Sequence, residues 1–166
     1  TGSTHTGKTL LAQRLLERHG APYLSIDHLK MGLIRSGMCP LTPESTDEAL
    51  TAVLWPVVRE IVKTAVENGQ SLTVEGCYIP FNWREDFDAS CLPHIRFLCL
   101  VFSEAYIRTR FDTIQTHANA IERRKDDSFC TMELLLAENR RNLEACRRRG
   151  LPYYLIDGPY APPLDW

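Results

Sequence analysis

Lysine is scarce in this 166-residue chain, at four residues against fifteen arginines, and the net charge is only −2. Such a balance advertises no broad basic field, which argues against a nucleic-acid partner. No apolar run approaches the ~20 residues of a membrane span, so no membrane partner is expected. No secretory leader pattern is visible. Paired metal or redox cysteines are also lacking: Cys39, Cys77, Cys91, Cys99, Cys130 and Cys146 are scattered, with no Cys-x-x-Cys. The histidines (His5, His19, His28, His94 and His117) are equally dispersed. A zinc site is therefore not expected, and free thiols in a reducing cytoplasm fit best. Repeats and low-complexity segments are absent. What is left, 44% hydrophobic and 24% charged, is the composition of one soluble globular domain over residues 1–166.

Against that plain background, Gly2 to Thr9 read GSTHTGKT, matching every fixed position of the phosphate-binding pattern G-x-x-x-x-G-K-[ST]. Gly2 and Gly7 let the backbone curl, so that N–H groups through Ser3, Thr4, His5 and Thr6 can point at an anion. Lys8 brings a point charge to the outer phosphates, and the Thr9 hydroxyl can ligate Mg²⁺. Leu10, Leu11, Leu15 and Leu16, stopped by Gly20, make an amphipathic helix whose positive end faces the phosphates. A chance Gly/Thr-rich loop is the bland alternative, and the helix that follows at once speaks against it. Gly2 to Thr9 are therefore the candidate ATP-binding residues. His5 lies where backbone groups do the binding, so it has no catalytic role. A loop of this kind follows a buried strand, yet Thr1 is the first residue. The expectation is a truncated start, with about four to six mostly Val, Ile or Leu residues before Thr1.

Strand-like and helical segments then alternate. Tyr23 to Ile26 is a short apolar run ending in Asp27, and a short helix over His28–Arg35 is closed by Gly37. Residues 39–44 form a loop. A long helix spans Ser45–Asn68, with Ser45 and Glu48 at capping-box spacing. Leu50, Val53, Leu54, Val57, Val58, Ile61, Val62, Ala65 and Val66 form its buried face, and Pro56 should kink it. Leu72–Glu75 and Ile95–Phe102 read as strands, Glu104 to about Thr116 and Thr131–Arg149 as helices, and Tyr153–Ile156 as a last strand. This order predicts a three-layer α/β fold with a parallel sheet. Residues 117–130 are polar and unperiodic, and read as a mobile insertion.

Ligands of open parallel sheets gather beyond the carboxyl ends of the strands. Phosphoryl transfer to an acceptor needs two acidic residues there. Glu75, ending an apolar strand, is the Mg²⁺-side candidate. Asp27 is the acceptor-side candidate, with a plain helix cap as the bland alternative. Lys30 and Arg35 could hold an anionic group of the substrate, or lie on a solvated helix face. Arg84 is a softer candidate of the same kind. Trp55, Trp83, Tyr78 and Phe81 could wall a pocket, although such aromatics are more often core. Nine arginines follow Ala105, at 108, 110, 123, 124, 140, 141, 147, 148 and 149. Arginine suits a polyphosphate, but three consecutive residues at 147–149 cannot all face one ligand.

GSTHTGKT, YLSIDHLK and LTVEGCYIP together resemble the nucleoside monophosphate kinase-like group of P-loop kinases, in particular small kinases similar to 2-phosphoglycerate kinase. The positions that carry this are Asp27, Lys30, Glu75, Gly76 and Pro80. IERRKDD, at Ile121–Asp127, resembles the arginine-bearing lid of adenylate kinases, and Glu104…Arg110 the helix before it. The resemblance implies ATP and Mg²⁺, with Arg110 on the nucleotide. It also implies that Arg123, Arg124 and Arg140 (or Arg141) neutralise the transferring phosphoryl, with a lid at about 117–130. The chain departs from adenylate kinases after the third strand, where Glu75-Gly76-Cys77-Tyr78-Ile79-Pro80 replaces Asp-Gly-x-Pro-Arg. ATP as donor thus carries over better than AMP as acceptor. The resulting expectation is a cytoplasmic kinase with Lys8 and Asp27 at its centre and a small polar acceptor, phosphorylated or not. Its rivals are an adenylate kinase-like activity, a nucleotide switch without acceptor, and a kinase acting on a macromolecule.

Overall fold

Four consecutive residues without a charge, Cys99 to Phe102, make β3, and all four are buried. In the computed structural model, which describes residues 1–117 and 130–165, β3 pairs in parallel with β4 (Tyr153–Ile156), from Cys99 against Tyr153 to Phe102 against Ile156. On its other edge Gly2 bridges Leu100 in parallel. Leu100 N–H donates to the Thr1 carbonyl at 2.9 Å. The Thr1 amino group donates to Leu98 O at 2.8 Å. Thr1 and Gly2 therefore run alongside β3 and deliver the loop to its place. The expected strand at 95–102 is shorter than its apolar run, since residues 95–98 lie outside the ladder.

The chain divides into two compact units, one of Thr1–Arg14 with Phe97–Trp166 and one of Leu15–Arg96, the boundary falling within α1 (Lys8–His19). In the first unit, α4 (Glu104–Thr116) starts at Ser103, whose hydroxyl accepts from Tyr106 N–H. α5 (Met132–Arg149) is capped likewise by Thr131, whose hydroxyl accepts from Leu134 N–H. α5 buries Leu135, Asn139, Asn142 and Cys146, a three–four spacing that turns one face inward. Asn139 is the polar member at the centre of that face. Its Oδ1 accepts from Phe102 N–H and its Nδ2 donates to Leu135 O, each at 2.8 Å. Asn139→Leu should cost about 1–3 kcal/mol of stability, because Phe102 N–H would be left buried and unpaired. Denaturant unfolding checks this, and an unchanged midpoint would refute it.

In the second unit, β1 (Tyr23–Ser25) pairs in parallel with β2 (Thr73–Glu75), so Ser25 lies opposite Glu75. α2 (Ile26–Arg35) begins directly after β1, which places Asp27 inside its first turn with Ser25 at the N-cap. Asp27 is thus a helix residue and not a cap.

α3 (Asp47–Glu67) corrects two expectations, its cap and part of its buried face. Its cap is Thr46, whose hydroxyl accepts from Ala49 N–H. Ser45 is engaged one turn earlier, accepting from Thr42 N–H. The helix continues through Pro56. Pro56 and Ala52, whose carbonyl loses its i+4 donor, both lie on the exposed side, where water can replace the missing bond. Val57 is 40% exposed, whereas Trp55 is buried. A loss of helical dihedrals occurs at Arg110 in α4 (φ −130°, ψ 21°).

Five of the six cysteines are buried, and Cys77 is half-buried. No helix among the described residues is long and apolar enough to cross a membrane.

Candidate functional site

The phosphate loop lies in the first unit. Left-handed backbone at His5 (φ 64°) and Gly7 (φ 76°) reverses the chain within it; alternation of this kind turns successive N–H groups toward a common concavity. Ser3 O is its internal anchor, accepting from Thr6 Oγ1 at 2.9 Å and from Lys8 Nζ at 2.8 Å. The lysine thereby lies across the loop it belongs to. His5 Nδ1 is 2.9 Å from Thr4 Oγ1 and 3.4 Å from Cys130 Sγ, which accounts for the imidazole without a catalytic role. Thr9 follows in the first turn of α1.

Two observations test whether this loop suits a bound polyphosphate. The Ser3 hydroxyl is buried with no hydrogen-bond partner among the described residues, and such groups call for an explanation. The glycines are also sterically required. A Cβ at Gly2 would fall 2.4 Å from Leu100 O, and one at Gly7 would fall 2.8 Å from the Tyr160 ring. The motif glycines are therefore dictated by close packing on both sides.

In the same unit, a cavity of about 430 Å³ is lined by Ala105, Tyr106, Thr109, Arg110, Asp157 and Pro159, among others. The dihedral break at Arg110 belongs to its wall. Ser103 Oγ donates to Asp157 Oδ1, joining the start of α4 to the segment after β4. Glu104, at the start of α4, holds Arg108 at 2.8 Å and Arg140 at 3.5 Å. Arg140 is 64% exposed, so it stands on the outer face of α4 and α5 with an acidic partner. Arg123 and Arg124, and all of the expected lid except His117 and Cys130, lie outside the described residues.

The second unit holds the acidic candidates. Glu75 ends β2 and is buried. A Cβ at the next residue, Gly76, would fall 2.8 Å from Ile26 Cβ, so glycine is needed for β2 to pass the start of α2. Asp27 receives Lys30 Nζ on Oδ1 at 2.7 Å, and the same ammonium donates to Tyr78 Oη at 2.9 Å. Lys30 is 12% exposed and Asp27 49%. Burial pulls the ammonium down, but the bonds to Asp27 and Tyr78 outweigh it and raise its pKa. Lys30 accordingly stays charged throughout the working range. Arg35 sits exposed in the last turn of α2. Trp55, Trp83 and Tyr78 are buried. Phe87 meets Trp55 and Trp83 edge-on at 6.1 and 6.0 Å, which makes these rings core, while Arg84 lies 5.5 Å over Trp83.

Sequence reasoning missed Tyr160, and it named Tyr78 only as a pocket wall or core aromatic. Tyr160 donates to Gly7 O at 2.6 Å, and Tyr78 fastens Lys30. Neither carries a local signal, because each acts on a partner dozens of positions away. Among the described residues no three His, Cys, Asp or Glu side chains converge as a metal cage.

No family model matches the chain, and no curated protein matches it. Among solved structures, a gluconokinase from Sinorhizobium meliloti 1021 is similar with a TM-score of 0.53 at 20% identity, over 99% of this chain and 82% of that one. A candidate kinase from Chloroflexus aurantiacus j-10-fl is similar at a TM-score of 0.47 and 22% identity, over 94% and 85%. The first of these likenesses shows a shared fold: an α/β chain with parallel strands, built as in that kinase.

Proposed function

We propose that this chain is an ATP-dependent kinase of the P-loop type, transferring the γ-phosphoryl group to a hydroxyl of a small polar metabolite. Residues 1–166 would act as one kinase domain of three-layer α/β type, working in the cytoplasm. The observation that carries the reading is the phosphate loop. Its glycines are fixed by packing, its lysine spans the loop, and a buried serine hydroxyl awaits a partner. The fold shared with a gluconokinase supports it.

In this reading Lys8 and the N–H groups of Ser3 to Thr9 hold the β- and γ-phosphates. The base takes the cavity lined by Arg110 and Pro159, where an apolar wall and a guanidinium can stack on an aromatic ring. The Thr9 hydroxyl would hold Mg²⁺, with Glu75 as the acidic residue that orients the ion through water. When bound, the metal would neutralise charge building on the γ-phosphoryl. The acceptor oxygen bonds to the γ-phosphorus, the bond to the β,γ-bridging oxygen breaks, ADP leaves, and the acceptor proton passes to Asp27. Lys30 occupies Oδ1 of Asp27, and the second carboxylate oxygen accepts the acceptor hydroxyl. Because Lys30 is already balanced by Asp27, an anionic group on the acceptor falls to Arg35. Arg140, with Arg123 and Arg124, would supply charge to the transition state.

An ATP-consumption screen tests this reading against gluconate, 2-phosphoglycerate, AMP and a panel of polyols. Turnover that depends on one acceptor is the expected result. ATP hydrolysis indifferent to every acceptor would instead favour a nucleotide switch, and preference for AMP would restore an adenylate kinase-like activity.

A further inference from the structure

We propose that Tyr160 is a positioning residue of the phosphate loop, holding the peptide that joins the loop to α1; this rests on the phosphate-loop reading above. Gly7 O is the last loop carbonyl before α1. It accepts from Leu11 N–H at 2.9 Å, the opening bond of the helix, and from the Tyr160 hydroxyl at 2.6 Å. The carbonyl of Gly7 and the N–H of Lys8 belong to one planar peptide unit. Whatever fixes the first fixes the direction of the second, and Lys8 N–H is among those that must aim at the phosphates.

The ring grips as well as the hydroxyl. A Cβ at Gly7 would fall 2.8 to 2.9 Å from Cε2, Cζ and the hydroxyl oxygen of Tyr160. Gly7 is thus required twice, by its left-handed backbone and by the tyrosine that occupies its open side. On α1, two turns after Gly7, the Arg14 guanidinium lies 5.3 Å from the ring centroid. Tyr160 is therefore clasped by the loop and by the helix the loop feeds. Burial pushes its phenol well up, so it remains a protonated donor wherever the protein works. Packing alone would be served equally by phenylalanine. The hydroxyl has its use in setting the peptide.

Tyr160→Phe keeps the ring and removes the bond, which makes it the test. Calorimetric binding of Mg·ATP to the parent comes first; a parent that binds no nucleotide refutes the phosphate-loop reading, not Tyr160. With a binding parent, Tyr160→Phe should weaken Mg·ATP about three- to tenfold, the worth of one hydrogen bond. Its KM for ATP should rise by the same factor, with the acceptor KM unchanged and melting within a few degrees of the parent. Equal affinity in parent and variant would overturn the proposal. So would a variant that fails to fold, or that loses stability and every kinetic constant together, since Tyr160 would then be structural only.

Discussion

Lys8→Ala is expected to lower kcat/KM for ATP by roughly 10²–10³-fold, the scale for removing one preorganised group from a developing charge. The fold should survive. Lys8 donates to Ser3 O, but Thr6 Oγ1 donates to the same oxygen, so the loop keeps an internal tie when the lysine is lost. Melting should accordingly fall only slightly, while nucleotide-dependent stabilisation disappears. Comparing thermal shifts with and without Mg·ATP separates the two effects. A variant that binds Mg·ATP as tightly as the parent would show that the loop is not a phosphate site.

Asp27→Asn should cut acceptor-dependent transfer by roughly 10²–10⁴-fold, the range of general acid–base and positioning groups, with little change in ATP affinity. The substitution keeps the shape but removes the charge that balances the Lys30 ammonium, which is held at 2.7 Å. Lys30 would then face the acceptor uncompensated, so an anionic acceptor should bind somewhat more tightly even as turnover falls. Steady-state kinetics with the best acceptor resolves both parts. Loss of ATP affinity in parallel with turnover would place Asp27 on the metal side. Undiminished turnover would remove it from the chemistry altogether.

Much of the architecture is legible in the chain because the signals are local. The helix at 8–19 and the strand at 153–156 fall where periodicity puts them, and the helix from Glu104 ends at Thr116 as read. Errors arise where two adjacent residues offer the same chemistry. Ser45 and Thr46 both make good caps, and the chain's exit from the preceding turn selects Thr46.

The sequence by itself determined the candidate phosphate loop, since eight consecutive residues contain the curl, the charge and a terminal hydroxyl. It likewise determined the parallel α/β character, because hydrophobic period and order are properties of neighbouring residues. Only the tertiary structure decided which groups hold those parts in place. Asn139 closes the end of β3 from α5, 37 positions away. Tyr78 reaches Lys30 across 48 positions, and Tyr160 reaches Gly7 across 153. Such contacts form because separate elements must bury their faces against one another, and hydrogen-bond partners are then chosen by proximity in space. A pattern along the chain carries no record of that choice.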